Sequence, residues 1–229
     1  MLDLLTRGTV TLKGRMPWSS NATFLVELAH EGETALAVYK PARGERPLWD
    51  FPPALYKREV AAYRLSEILG WSLVPPTVVR EDAPAGEGSL QLFVAAAFEQ
   101  NYFTFAEDPV HRDRLMRICA FDLVANNADR KAGHCLLAED GVIWAIDNAL
   151  TFNVDPKLRT VIWQFAGEPL PDPVVVDLRR LISGDLPAAL VELLEPDECE
   201  VLRRRARRLL KAGKFPDDPG GRSYPWPLV

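Results

Sequence analysis

The balance of apolar periodicity in this chain shifts near Asn101, and that shift limits the fold more than any other feature. Before it the strand repeat of every second position prevails, with one helical stretch; after it the helical repeat of three and four prevails, with one short hairpin. Residues 8–16 and 22–29 alternate around Pro17-Trp18-Ser19-Ser20-Asn21, which predicts a hairpin-like pair. Residues 34–40 follow a Glu31-Gly32-Glu33 turn and form a third strand closed by Pro41, so Lys40 sits at a strand end. A loop to Pro53 precedes the predicted helix 56–69, stopped by Gly70, and residues 74–79 and 89–95 read as two further strands. Beyond Asn101, residues 112–126, 174–183, 186–194 and 196–212 read as helices, with a short hairpin at 135–138 and 142–146 around Glu139-Asp140-Gly141. Strands first and helices later predict an α+β architecture in two lobes. The expected division is a sheet lobe over 1–98 with one helix, a mainly helical lobe over 99–213, and an irregular proline-rich tail over 214–229, either mobile or strapped down by Tyr224 and Trp226.

With 229 residues, 48% of them hydrophobic, there is enough apolar surface for a sizeable core. Even the longest uncharged stretches, such as 68–79 and 88–98, fall short of the ~18 apolar residues a membrane span needs, so no transmembrane segment is expected. The first residues include Asp3 and lack the apolar region of a secretory signal, which makes the cytoplasm the expected location. Cys119, Cys135 and Cys199 show no CxxC spacing and predict buried thiols rather than a disulfide framework or a zinc site. A net charge of −5 weighs against nucleic acid as a partner, because that binding rests on neutralising phosphates. The run Arg203-Arg204-Arg205-Ala206-Arg207-Arg208 follows Glu195, Asp197, Glu198 and Glu200, an order of charge that suits a solvated helix without any ligand.

The densest polar cluster, Asn126-Asn127-Ala128-Asp129-Arg130-Lys131-Ala132-Gly133-His134, lies between a predicted helix and the hairpin that runs into Asp147-Asn148. Helix, loop and hairpin fold back on themselves, so Asp129 and Asp147 can approach. Two close carboxylates call for a cation. Magnesium takes carboxylate and phosphate oxygens, whereas zinc would ask for more Cys and His than this segment holds. The residues alone therefore point to phosphoryl transfer on a metal-nucleotide complex.

The order helix, Asn127-x-Asp129-Arg130-Lys131, His134 five after the Asp, then a hairpin ending in Ile146-Asp147, resembles the catalytic segment of protein-kinase-like folds. The atypical members are nearest: the phosphatidylinositol 3-/4-kinase family and the HipA-type bacterial kinases. This resemblance implies a two-lobed fold with ATP in the cleft and transfer of its γ-phosphoryl group to a hydroxyl of a protein, lipid or small molecule. It implies Asp129 as the catalytic Asp, Lys131 as a charge stabiliser, Asp147 as the principal metal ligand, and His134, where asparagine is usual, as a second ligand for Mg2+ or Mn2+. Lys40 resembles the strand lysine that grips phosphates, and Glu59 on the next helix its partner; Glu67 lies on a similar face, but only Glu59 matches the family pattern. Ser19, Ser20 and Asn21 stand where protein kinases carry a glycine-rich phosphate cover, with hydroxyls and backbone N–H groups in its place. Residues 90–94 would enter the interlobe hinge that reads adenine. Two other accounts stand beside this one: a pseudokinase that binds nucleotide without turnover because His134 alters the metal geometry, and a binder of nucleic acid or membrane surfaces through the arginine-rich helix.

Overall fold

The computed structural model describes residues 1–17 and 21–229. The first half forms a five-stranded antiparallel sheet of β1 (Thr9–Arg15), β2 (Phe24–His30), β3 (Glu33–Pro41), β4 (Thr77–Arg80) and β5 (Gly88–Leu92), in the order β1-β2-β3-β5-β4. Val26, Leu28, Ala37, Tyr39 and Leu90 turn to one face and are buried there. A helix that periodicity does not reveal, α1 (Leu2–Arg7), covers that face with Leu4 and Leu5; six residues are too few for a helical repeat to show. Because strand side chains alternate, Lys40 points away from the face that buries Tyr39. Gly88 pairs with Pro41, and a Cβ there would stand 2.3 Å from the Lys40 carbonyl oxygen, so only glycine lets β5 pass this close.

Helix α2 (Leu55–Leu69) ends at Gly70 in the left-handed region, as expected for a glycine stop. Its start has no side-chain cap from the preceding residue, Ala54. The carboxylate of Glu45 accepts from the N–H groups of Leu55 (3.0 Å) and Tyr56 (2.7 Å) instead, capping the helix from the preceding loop.

The second half contains α3 (Tyr102–Phe105), α4 (Arg112–Ala125), the hairpin β6 (Cys135–Leu137) and β7 (Ile143–Ala145), α5 (Asp172–Ser183), α6 (Ala188–Val191) and α7 (Pro196–Ala212). Their apolar faces close the larger core around Leu115, Ile118, Phe121, Phe152 and Leu178. The helix expected over 186–194 shortens to α6, because the N–H groups of Leu193 and Leu194 bond three residues back and Pro196 holds Glu195 extended. Residues 213–228 run back over this lobe: the Phe215 N–H donates to the Glu168 carbonyl, the Thr160 N–H to that of Ser223, and the Ala132 N–H to that of Leu228 at 2.8 Å. Phe215 and the half-buried Tyr224 anchor this strap, while Trp226, expected to help hold it, is 87% exposed. Among the described residues no helix is long and apolar enough to cross a membrane.

Candidate active site

Helix α4 stops at Asn126, whose φ of 57° suits the residue type that best tolerates the left-handed region after glycine. Its side chain then spans the turn, donating to the Asn153 and Asp155 carbonyls and accepting from the Lys157 N–H. Asn127 fixes the course of the loop: its Oδ1 accepts from the Asp129 N–H at 2.9 Å, and its Nδ2 donates to Asp122 at 3.1 Å. The Asp129 carboxylate is thereby held at the loop surface, 3.2 Å from Lys131 Nζ. Burial pushes the Asp129 carboxyl above its ordinary value against the pull of Lys131, and Asp147 adds to the rise.

Arg130, next in sequence, points inward and is fully buried. Its Nε and Nη2 meet the buried Asp122 carboxylate at 3.0–3.2 Å, its Nη1 donates to the Ile146 carbonyl at 2.7 Å, and its Nη2 to Asn148 Oδ1 at 2.6 Å. One guanidinium thus joins the residue after Asp129 to the residues on either side of Asp147. Arg130 stands in the sequence motif without a role of its own there, and Asp122 does not stand out at all. A signal was nonetheless present: Asp122 is four after Ile118 and three after Cys119, on the face of α4 that is otherwise apolar, and an acid buried there needs a cation.

Lys40 on β3, Glu59 on α2 and Asp147 after β7 come together. Lys40 Nζ is hydrogen-bonded to Glu59 Oε1 and lies 2.7 Å from Asp147 Oδ1. The other oxygen of Glu59 accepts from the Asn148 N–H at 2.9 Å, so a single helical carboxylate touches both the strand lysine and the loop carrying Asp147. Of the two acids considered on α2, Glu59 rather than Glu67 makes the contact to Lys40. Burial draws the Lys40 ammonium down, but the two carboxylates outweigh it and hold it above the usual lysine value. The Lys40 ammonium keeps Asp147 well below the usual carboxylate range. Asp147 adopts a φ of 54°, an uncommon backbone state for a non-glycine residue, and its side chain is 47% exposed.

His134 faces the same place. Its Nδ1 lies 2.8 Å from the Asp129 carbonyl oxygen, which can only accept, so Nδ1 carries the proton; the Lys131 N–H reaches that nitrogen only at 3.5 Å. The lone pair of Nε2 is left 3.4 Å from Asp147 Oδ2. Burial pulls the imidazole down to about 4, Asp147 opposing, so at neutral pH two acceptors face one another. That donor pair fits a divalent cation whose remaining ligands are water or phosphate oxygen. Among the described residues no group of three or more His, Cys, Asp or Glu side chains forms a metal cage. Ser19 and Ser20 lie outside the described residues, and Asn21 accepts from the Arg46 N–H at 3.0 Å, against the loop after β3. Cys135, beside His134, is an inert buried thiol, pushed up to about 12 by burial.

No family model matches the sequence. Among solved structures, hydra Fam20 with sugar is similar at a TM-score of 0.60 and 17% identity, over 92% of this chain and 86% of that one. The Golgi casein kinase with Mn/ADP bound is similar at 0.58 and 15% identity, over 96% and 79%. The fold is therefore an atypical protein-kinase-like α+β fold. Protein Rv2133c of Mycobacterium tuberculosis (strain ATCC 25618 / H37Rv) is 39% identical over 261 aligned residues, 98% of this chain and 94% of that protein, and the chain belongs to its family.

Proposed function

We propose that the protein is an ATP-dependent phosphotransferase that moves the γ-phosphoryl group to a hydroxyl of a protein, lipid or small molecule. The observation that carries this proposal is the single network joining Lys40 on a strand, Glu59 on a helix and Asp147 on the hairpin loop, with Asp129 and Lys131 beside it. In the proposed reaction Lys40, held by Glu59, binds α- and β-phosphate oxygens. Asp129, its carboxyl raised by burial, orients the acceptor hydroxyl and takes its proton as the oxygen attacks in line. Lys131 neutralises charge on the moving group. A bound Mg2+ or Mn2+ would supply charge neutralisation at the β- and γ-phosphates, and Asp147 with His134 Nε2 are the residues that would hold it. Fold kinship supports the proposal, as does the Mn/ADP bound by the Golgi casein kinase. The finer likeness to phosphatidylinositol 3-/4-kinases and HipA-type kinases rests on the order of the four motifs, and a cytoplasmic location belongs to the same proposal.

The test is thermal unfolding against ATP with Mg2+ and Mn2+ in parallel, for the wild type and Asp147→Asn. At a hundredfold excess over Kd, binding stabilises by about 2.7 kcal/mol, which for a chain of this size is roughly 5–10 °C. A metal-dependent shift abolished in Asp147→Asn supports the site. A shift without any phosphate transfer makes the protein a pseudokinase, and no shift at millimolar ATP with either metal removes the proposal.

A further inference from the structure

Helix α2 carries Glu59 and lies between the two lobes, packed on β4 and β5 on one side and on α5 and α6 on the other. Ala61, Ala62, Tyr63, Leu65 and Leu69 are part of the core of the helical lobe, while the sheet's core is closed by α1. Both ends of α2 also reach the helical lobe, although its first turn is held on the sheet side too, by Glu45 and by the hydrogen bond from Tyr56 to Glu87. At its C-terminal end, Arg180 Nη2 on α5 donates to the Leu69 carbonyl at 2.9 Å, and Trp71 Nε1 donates to Asp177 of the same helix at 2.8 Å. In its first turns the fastening is ionic. Arg58 Nε donates to the Thr151 carbonyl at 3.1 Å, and Arg58 Nη2 bonds Glu198 in the first turn of α7, their side chains being 5% and 6% exposed. Glu198 is itself oriented by the Glu195 N–H, which donates to its other oxygen at 3.0 Å.

Arg58 is adjacent to Glu59, and Thr151 lies four residues after Asp147. We infer that Arg58 is a positioning residue: through Glu198 and Thr151 it locks α2 to the helical lobe, so that Glu59 stays in register with Asn148 and presents a fixed carboxylate to Lys40. In this arrangement α2 is tied to the sheet side by the Glu45 cap and the hydrogen bond from Tyr56 to Glu87, and to the helical lobe by Arg58, so the Arg58 contacts are what keep Glu59 against the Asn148 loop. The inference rests on the phosphotransferase proposal for its catalytic consequence and on packing alone for the mechanical one.

Arg58→Met by itself would strand the buried Glu198 carboxylate and confound folding with function. The informative variant is Arg58→Met/Glu198→Leu, which removes both charges and keeps apolar volume. Native-state hydrogen exchange reads the mechanical part without any activity. In the wild type, amides of α2 should open with those of α4 and α7 and more slowly than those of β1 to β3; in the double variant the first two turns of α2 should lose at least tenfold protection. Exchange of α2 together with the sheet, or unchanged protection in the variant, overturns the lock. Kinetics reads the catalytic part. With Tm and the ATP-dependent thermal shift retained, kcat should fall tenfold or more while KM for ATP changes less than threefold. A stable double variant with kcat within twofold of the wild type reduces the pair to packing. A wild type with no turnover overturns the catalytic consequence together with the phosphotransferase proposal, whereas the exchange pattern still decides the lock.

Discussion

Two cation networks meet at the loop from Asn127 to Asn148, and they are built on opposite terms. Around Arg130, cation and anion are both fully buried, and four further polar groups of the loop complete the guanidinium and the carboxylate: the carbonyls of Ile146 and His134 and the side chains of Asn148 and Asn127. Around Lys40 the lysine side chain is 23% exposed and one of its partners, Asp147, is nearly half exposed. An ion pair sealed from water is costly to open and costly to break, so it holds a geometry. An ion pair at a cleft can exchange one partner for phosphate or a cation at little cost. Under the proposed reaction, the contrast separates what frames the site from what would work in it: the residues that place Asp129 and Asp147 are excluded from solvent, and the groups a ligand would meet are not.

The most damaging way to break this contrast is Arg130→Met. It leaves Asp122 buried without its cation, and about 3–5 kcal/mol of stability should be lost, lowering Tm by roughly ten degrees in a thermal melt; a drop under about 3 °C would mean the buried pair is not the frame. Asp129→Asn should do the reverse. Single-turnover transfer of labelled γ-phosphate should slow by roughly 10²–10⁴, with Tm unchanged or slightly raised, because burial already disfavours the ionised Asp129. Equal loss of Tm and activity would erase the difference between frame and working group.

A smaller effect sharpens the cleft side. The folded imidazole of His134 titrates near 4 against an ordinary 6.5, so between those values the unfolded chain binds more protons. Stability should therefore fall as pH is lowered from 6.5 towards 4. The His134→Gln variant should lack up to about 3 kcal/mol of that fall, read as the difference between denaturant melts of the two proteins across the window. Matching curves would show that His134 is not held neutral. The smallest effect belongs to the exposed pair Lys13 and Glu27 at the sheet edge, 45% and 42% exposed; Lys13→Gln should cost under about 0.5 kcal/mol in the same melts.

Much of the site's membership was legible because it lies in short runs. Asp129, Lys131 and His134 share one loop, Asp147 ends a hairpin of obvious turn chemistry, and Lys40 closes a strand before Pro41. Less legible were residues whose role depends on partners far along the chain. Arg58 reads as one more charge on an amphipathic helix until Glu198, 140 residues away, is seen against it. Glu45 reads as a loop acid until it caps α2. Helix α1 has no periodic signal at all, and its two leucines matter only because the sheet needs a cover.

By itself, then, the sequence determined the segregation of strands from helices, the turns that separate them and the local groups of polar residues, since periodicity, glycine stops and turn chemistry act within a few residues. The tertiary structure alone decided that α2 packs between the sheet and the helical lobe, that Lys40 meets Glu59 and Asp147 at once, that Arg130 turns inward, and that residues 213–228 return to the Ala132 loop. Those outcomes depend on which apolar faces meet and which buried charges must find a partner, and such requirements are met only between segments that the chain itself keeps far apart.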